Sequence, residues 1–283
     1  MKVCVVGAGA IGGGVGGLLH RAGHEVTLVA RGAHLEALGR GLRLCTPQGV
    51  ELRSVPTSPV PLPADLQLLC VKSQDTAEAL EVMPPRSRVA TLQNGIENEA
   101  LVEAAGHTVL PVVVFVPATH LVPGEVRLHG APHPGYLDTG DEDLAELFRQ
   151  AGFRARVRRD VMAWKRGKLL SNLGGALQLL GPELVVERYY AMVAEAEAVF
   201  EAAGLSYVPL DELVAACPIE VAEVDGKTRD GGSTWQSHVR GRPLEIEHLQ
   251  GTIERLGVEV GVPTPACSAL LRQLRRSRPG PRR

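Results

Sequence analysis

The sequence predicts an α/β protein in two parts, a parallel-sheet domain over residues 1–162 and an all-helical domain over residues 163–283. Three observations predict it. Short apolar runs bounded by turn formers recur in the first half, at residues 2–6, 24–29, 65–71, 87–92 and 108–117, as buried parallel strands would. The first run leads straight into Gly7-Ala8-Gly9-Ala10-Ile11-Gly12, a G-x-G-x-x-G followed by a helical stretch that Gly23 stops. From Trp164 onward the apolar spacing becomes that of helices.

A lone G-x-G-x-x-G is weak in a chain with 32 glycines. A strand before it, a helix after it and a second strand within about thirty residues make it the fingerprint of a Rossmann-type dinucleotide-binding domain. Gly7 permits the tight turn, Gly9 lets the backbone approach a pyrophosphate, and Gly12 allows close helix–strand packing. The helix start, at Ala10 and Ile11, offers unpaired N–H groups and a positive dipole end to phosphates. A merely structural βαβ unit with a glycine-rich turn is the alternative. An NAD site would place Asp or Glu about twenty residues beyond the glycines, to hold the ribose 2′-hydroxyl. This chain has Val29-Ala30-Arg31 there. A carboxylate would repel a 2′-phosphate, whereas Arg31 can pair with one, so NADP(H) is expected over NAD(H). An ordinary solvated arginine is the competing reading.

Composition excludes several classes. The chain is 45% hydrophobic and 22% charged with a formal net charge of −2, which gives no electrostatic reason to expect nucleic acid or a membrane surface. The longest apolar run, residues 109–118, is too short to span a bilayer. Cys4, Cys45, Cys70, Cys217 and Cys267 are scattered without C-x-x-C spacing, which argues for reduced thiols, a cytoplasmic setting and no metal site. No charged-then-apolar leader precedes the first strand. Lysine occurs only at positions 2, 72, 165, 168 and 227 in an arginine-rich chain. Each lysine therefore raises the question of what arginine could not do there, and giving up a proton is one answer.

The remaining elements follow in order. Residues 34–38 are a short helix, and residues 42–63 alternate as small β-segments do. The run at 65–71 delivers Lys72-Ser73 at its carboxyl end, and the run at 87–92 delivers Gln93-Asn94-Gly95. Ligands sit outside the carboxyl ends of strands in open parallel sheets, so Lys72 and Asn94 should line the crevice of Gly7–Gly12. An ordinary turn is the lesser alternative for Asn94-Gly95. A turn at Pro123-Gly124, a segment at 125–128, a helix at 141–152 and a last strand at 153–157 close the first domain. Helices are expected at 183–204, 210–223, 245–256 and 263–274, with a frayed basic tail at 275–283. Tyr189, Met192, Val193, Ala196, Val199, Phe200 and Ala203 form one stripe, suited to core or to a homodimer interface.

These motifs together resemble the ketopantoate reductases (2-dehydropantoate 2-reductases). The resemblance rests on Gly7–Gly12, Arg31, Val71-Lys72-Ser73, Gln93-Asn94-Gly95 and Pro123-Gly124. It continues through Trp164 and Lys168-Leu-Leu-Ser-Asn172 to Ser233 and Gly241-Arg242-Pro-Leu-Glu245-Ile246-Glu247. In that family an NADPH hydride reduces the ketone of 2-dehydropantoate to pantoate, on the route to pantothenate and coenzyme A. The resemblance implies that Lys168 is the general acid and that Asn94 and Asn172 hold the substrate. It also implies that Ser233 and Glu245 bind the substrate's carboxylate and hydroxyl ends, with Lys72 beside cofactor and substrate. The chemistry agrees, since a ketone reduction needs a proton on the developing alkoxide and a nearby lysine supplies it. Lys168 and Asn172, at i and i+4, share a helix face. A carboxylate such as Glu245 could hold the Lys168 ammonium. A solvated helix lysine is the plainer alternative for Lys168.

The departures fall on the substrate side. Gly175 and Ala176 stand where a second asparagine is usual, Asp230 replaces an asparagine, and His238 an aspartate. A negative charge at Asp230 would disfavour an anionic substrate if it faced the pocket. A reductase of another 2-oxo acid or of an imine is therefore the second reading, and a non-catalytic NADP(H)-binding protein the third.

Overall fold

The computed structural model describes residues 1–180 and 185–276. Strands β1 (Lys2–Val6) and β2 (Glu25–Val29) flank helix α1 (Ala10–Arg21), and helix α2 (Gly32–Gly39) follows. A hairpin of β3 (Leu42–Thr46) and β4 (Gly49–Arg53) precedes β5 (Thr57–Ser58) and β6 (Leu66–Leu69). Helix α3 (Thr76–Glu81), β7 (Arg88–Thr91), helix α4 (Asn98–Ala104) and β8 (Thr108–Phe115) continue the alternation. Then come β9 (Ala118–Thr119), β10 (Glu125–Leu128), β11 (Gly130–Ala131), β12 (Tyr136–Thr139) and helix α5 (Glu142–Gln150). The second half holds helices α6 (Val161–Asn172), α7 (Val185–Ala202) and α8 (Leu210–Ala216), then strand β13 (Glu220–Val221). Helices α9 (Ser233–Val239), α10 (Gln250–Val260) and α11 (Pro265–Arg276) end it.

The main sheet runs β12-β8-β7-β6-β1-β2-β5, parallel except for β12. Strand order reverses between β1 and β6, the place where such sheets open a crevice. A second sheet, β4-β3-β10-β9, lies on the other side of α1. That sandwich explains the glycines inside a helix, where each costs about 1 kcal/mol against alanine. A Cβ at Gly16 would meet Leu28 Cδ2 at 2.6 Å, and one at Gly14 would meet Leu128 Cδ2 at 2.6 Å. α1 is thus pressed from both faces.

Two main apolar cores form. One joins Val3, Val5, Leu18, Leu28, Leu68, Leu137 and Phe148 around the sheet; the other joins Leu169, Leu170, Met192, Val199, Phe200, Ile253 and Leu271 among the helices. The α7 stripe lies in that second core, so a homodimer would have to use another face. No helix among the described residues is long and apolar enough to cross a membrane.

Several boundaries differ from the sequence reading. Residues 153–157 make isolated bridges to β12 at Tyr136 and Thr139 rather than a full strand. β12 itself escaped notice, being four residues long behind His133-Pro134-Gly135. The helix expected over 210–223 stops at Ala216, since Pro218 lacks a donor and disfavours helical Cys217. α9 was not foreseen. At 245–256 the chain makes a 3₁₀ turn over Glu245–His248, breaks at Leu249 (φ −114°, ψ −87°), and restarts as α10. Residues 183 and 184 of one expected helix and 277–283 of the basic tail lie outside the described residues.

Candidate active site

The glycine loop forms as its residue types require. Gly7 takes φ +100°, and a Cβ there would lie 2.7 Å from Val71 N. A Cβ at Gly12 would collide with Gly7 O and press on Cys70 and Val5. Gly9 has nothing within 4 Å of its Cβ position and caps α1 with no side-chain hydrogen bond, which leaves the loop open to a ligand. His34, read in the sequence only as the start of a short helix, braces the loop: its Nε2–H donates to Ala8 O at 2.7 Å while Gly124 N–H donates to its Nδ1 at 3.0 Å.

A cavity of about 1030 Å³ opens from this loop and runs between the two halves. Gly7, Gly9, Ala10 and Ile11 line one end, together with Arg31. Lys72, Asn94, Lys168, Asn172, Ser233 and Glu245 line the rest. Gly12 instead packs beneath the loop, the role expected of it. The cradle fits a dinucleotide: the crevice is at the switch point, the glycine turn is tight, and the twelve-residue α1 points its N-terminus into it. Arg31 is exposed at the end of β2 and pairs with Glu78 of α3 at 2.7 Å. The region therefore holds a carboxylate, contributed from far along the chain.

On α6, Lys168 Nζ donates to Asn172 Oδ1 at 2.8 Å and to Ser171 Oγ at 3.0 Å, and lies 4.5 Å from the centre of the Phe115 ring. Burial, then the positive charge of Arg229, pushes its pKa down to about 8. Asn172 Nδ2 is buried without a hydrogen-bond partner. Glu245 does not hold Lys168. Its carboxylate, 5% exposed, accepts from Lys72 Nζ and from Ser73 N–H at 3.0 Å. The 3₁₀ turn aims Glu245 across the cleft at the end of β6, whereas Lys168 faces it from α6.

The departures resolve unevenly. Gly175 lines the cavity, whereas Ala176 is buried in the helical core. Asp230 is exposed, accepts from Thr228 Oγ1 at 3.2 Å, and is not among the lining residues; its neighbour Arg229 is. Sequence reading missed Arg229, and no signal marked it among so many arginines. It also missed the partners of Lys165, although lysine scarcity pointed at that residue. Lys165 Nζ, 2% exposed, meets Glu99 Oε1 at 2.7 Å and donates to the carbonyls of Gln93, Thr91 and Val112 at 3.0, 3.3 and 3.3 Å. All five cysteines are free, and no cluster fit to hold a metal occurs among the described residues.

Comparison with known proteins agrees with this architecture. The family model described as Ketopantoate reductase PanE/ApbA matches residues 3–142, and its C-terminal counterpart matches residues 175–278. α6, with Lys168 and Asn172, falls between the two matches. The 2-dehydropantoate 2-reductase of Archaeoglobus fulgidus is 30% identical, over 97% of each chain. That of Halobacterium salinarum is 31% identical, over 95% of this chain and 96% of its own. A PanE/ApbA family ketopantoate reductase from Ralstonia eutropha superposes with a TM-score of 0.82 at 33% identity, over 98% of each chain. D-mandelate dehydrogenase with NADH and anilino(oxo)acetate shares the fold, with a TM-score of 0.83 at 22% identity over 98% of each chain. With both family models matched and such relatives aligned nearly end to end, the chain belongs to the ketopantoate reductase family.

Proposed function

We propose that this chain is an NADPH-dependent 2-dehydropantoate 2-reductase that acts in the reducing cytoplasm, with its cofactor domain at 1–162 and its substrate domain at 163–283. The observation that carries the reading is a lysine, Lys168, with a pKa lowered to about 8, lining one cavity with the glycine loop. Gly7, Gly9, Ala10 and Ile11 would hold the pyrophosphate, with Gly12 packed beneath them, Arg31 the 2′-phosphate, and Lys72 and Asn94 the nicotinamide end. When bound, NADPH supplies the hydride to the ketone carbon. Lys168 donates its proton to the ketone oxygen and stabilises the charge that develops there. Asn172 accepts from the ammonium and so fixes its direction, while its unpaired Nδ2 can donate to the substrate. Ser233, Asn94 and Glu245 complete the substrate pocket, Glu245 receiving a hydroxyl once its contact with Lys72 and Ser73 loosens. The curated relatives carrying this activity by name support the substrate, and the five free thiols support the compartment.

The test is NADPH oxidation by the purified protein with 2-dehydropantoate, beside a panel of small 2-oxo acids and cyclic imines. Preferred turnover of 2-dehydropantoate is the expected result, with kcat reduced roughly 10²–10⁴-fold in Lys168→Ala, the usual worth of a positioned acid. Preferred turnover of another oxo acid or of an imine would replace the substrate. No turnover across the panel, with NADPH still bound, would remove the enzymatic reading.

A further inference from the structure

We propose that Arg229 receives the carboxylate of the substrate and so makes this cleft selective for 2-oxo acids. The inference deepens the reductase reading and rests on it. Arg229 lines the same cavity as Lys168 and Asn172. Its Nε is buried without a hydrogen-bond partner, and among the described residues no carboxylate pairs with it. A desolvated guanidinium with an unused donor is costly to keep, and a carboxylate would satisfy it through two parallel N–H bonds.

The chain also builds a mount for this side chain. Asp225 and Gly226 take φ +52° and +67°, the left-handed pair of a tight two-residue hairpin. Val224 and Lys227 exchange both backbone hydrogen bonds across it, at 2.9 and 3.0 Å. Asp225 is tied to Arg43 at 2.8 Å and to Arg127 at 3.4 Å, both on the second sheet. Upstream, β13 pairs with β11, and Tyr136 Oη donates to Pro218 O at 2.8 Å. The loop from the helical half is thus pinned to the sheet half, and Arg229 is presented from a fixed base. Gly175 and Thr234 line the same cavity, and a Cβ at Gly175 would lie 3.3 Å from Thr234 Oγ1. Asp230 is held outside by Thr228 and leaves the arginine's charge uncancelled.

The arrangement couples binding to chemistry. Facing the Lys168 ammonium are Ser171, Asn172, the Phe115 ring, Arg229 and Cys217, and Arg229 is the one that lowers its pKa by charge. A carboxylate seated on Arg229 cancels that charge and keeps Lys168 protonated when a proton is needed.

Three proteins test this: the wild type, Arg229→Met and Arg229→Lys, each checked for an unchanged unfolding midpoint and NADPH affinity. The substrates are 2-dehydropantoate and its neutral lactone, which keeps the ketone and loses the carboxylate. Arg229→Met should raise KM for 2-dehydropantoate by about a hundredfold with a far smaller change in kcat. Arg229→Lys should recover part of that loss, and the lactone should react alike with all three. The alkaline limb of kcat/KM should also move to higher pH in Arg229→Met, because the charge that lowers the Lys168 pKa is gone. A KM for 2-dehydropantoate within threefold of wild type, or an equal loss on the lactone, would overturn the proposal. Calorimetric titration of the NADPH-loaded proteins with oxamate, an unreactive 2-oxo acid mimic, separates the two ideas. Wild-type oxamate binding abolished by Arg229→Met keeps Arg229 as the anion clamp even if 2-dehydropantoate proves not to be the substrate. Oxamate binding that survives the substitution, or is absent from the wild type, rejects the clamp.

Discussion

Lys168, the proposed general acid, takes its acid–base properties from its surroundings. Its ammonium lies over Phe115 and donates to two neutral oxygens, but burial and then the positive charge of Arg229 outweigh those contacts, so the charged form loses stability. The general acid must start protonated, and the protonated fraction falls as pH rises through the pKa. kcat/KM should therefore decline above about pH 8, well before an ordinary lysine, near 10.4, would begin to lose its proton. A profile flat to pH 10 would show that the acid is another group. The place of Lys168 in the cleft was legible in the sequence, from the scarcity of lysine and the flanking motifs that carry the family resemblance. Arg229 was not, because its meaning depends on a hairpin that brings residues 218–232 against β11 and the second sheet. Glu245 was half-legible: its place in the cleft followed from the motif, but its partner, Lys72 rather than Lys168, depends on a 3₁₀ turn that the sequence disguises as a helix.

Helix α6 is positioned by Lys165, three residues before Lys168. Its buried ammonium lies within reach of the carbonyls of Thr91 at the end of β7, Gln93 just beyond it and Val112 inside β8, and of the Glu99 carboxylate of α4. The compact ammonium suits that cage, whereas a planar guanidinium would not. Thr91 Oγ1 adds a 2.5 Å hydrogen bond to the same Glu99 oxygen. Lys165→Met should destabilise the fold by about 3–5 kcal/mol, because it leaves Glu99 buried and unpaired. Urea denaturation measures the loss, and the double variant Lys165→Met/Glu99→Leu should recover much of it. A single variant within about 0.5 kcal/mol of wild type, the range of an ordinary surface change, would show the pair to be idle. At this scale, periodicity identified strands buried on both faces and helices with one apolar face. It failed where length or context decides: four-residue β12, seven-residue α9 beside Gly231-Gly232, and the helix that Pro218 cuts short.

The whole molecule places its chemistry where the chain crosses itself. The reversal of strand order between β1 and β6 opens the crevice, α1 fills one side, and the helical half closes the other. Glu245 reaches from that half to Lys72 and Ser73 at the end of β6. Glu97 at the start of α4 is bonded to Arg255 and Thr252 of α10 at 2.7 and 3.0 Å. A dinucleotide lying along this seam would bind the folded chain and not the unfolded one, so its affinity appears as stability. At a free concentration of a hundred times Kd it adds about 2.7 kcal/mol, which shifts the midpoint of a chain this size by roughly 5 °C. With Arg31 on the 2′-phosphate, as proposed, the gain should differ between cofactors, because NADPH carries that phosphate and NADH does not. At equal concentration NADPH should raise the unfolding midpoint by several degrees more than NADH, and Arg31→Ala should erase the difference. Glu78→Gln should widen it, because Glu78 now competes for the same guanidinium. Equal shifts with both cofactors in the wild type would mean that Arg31 serves only its ion pair with Glu78 and that the cofactor preference must be reassigned.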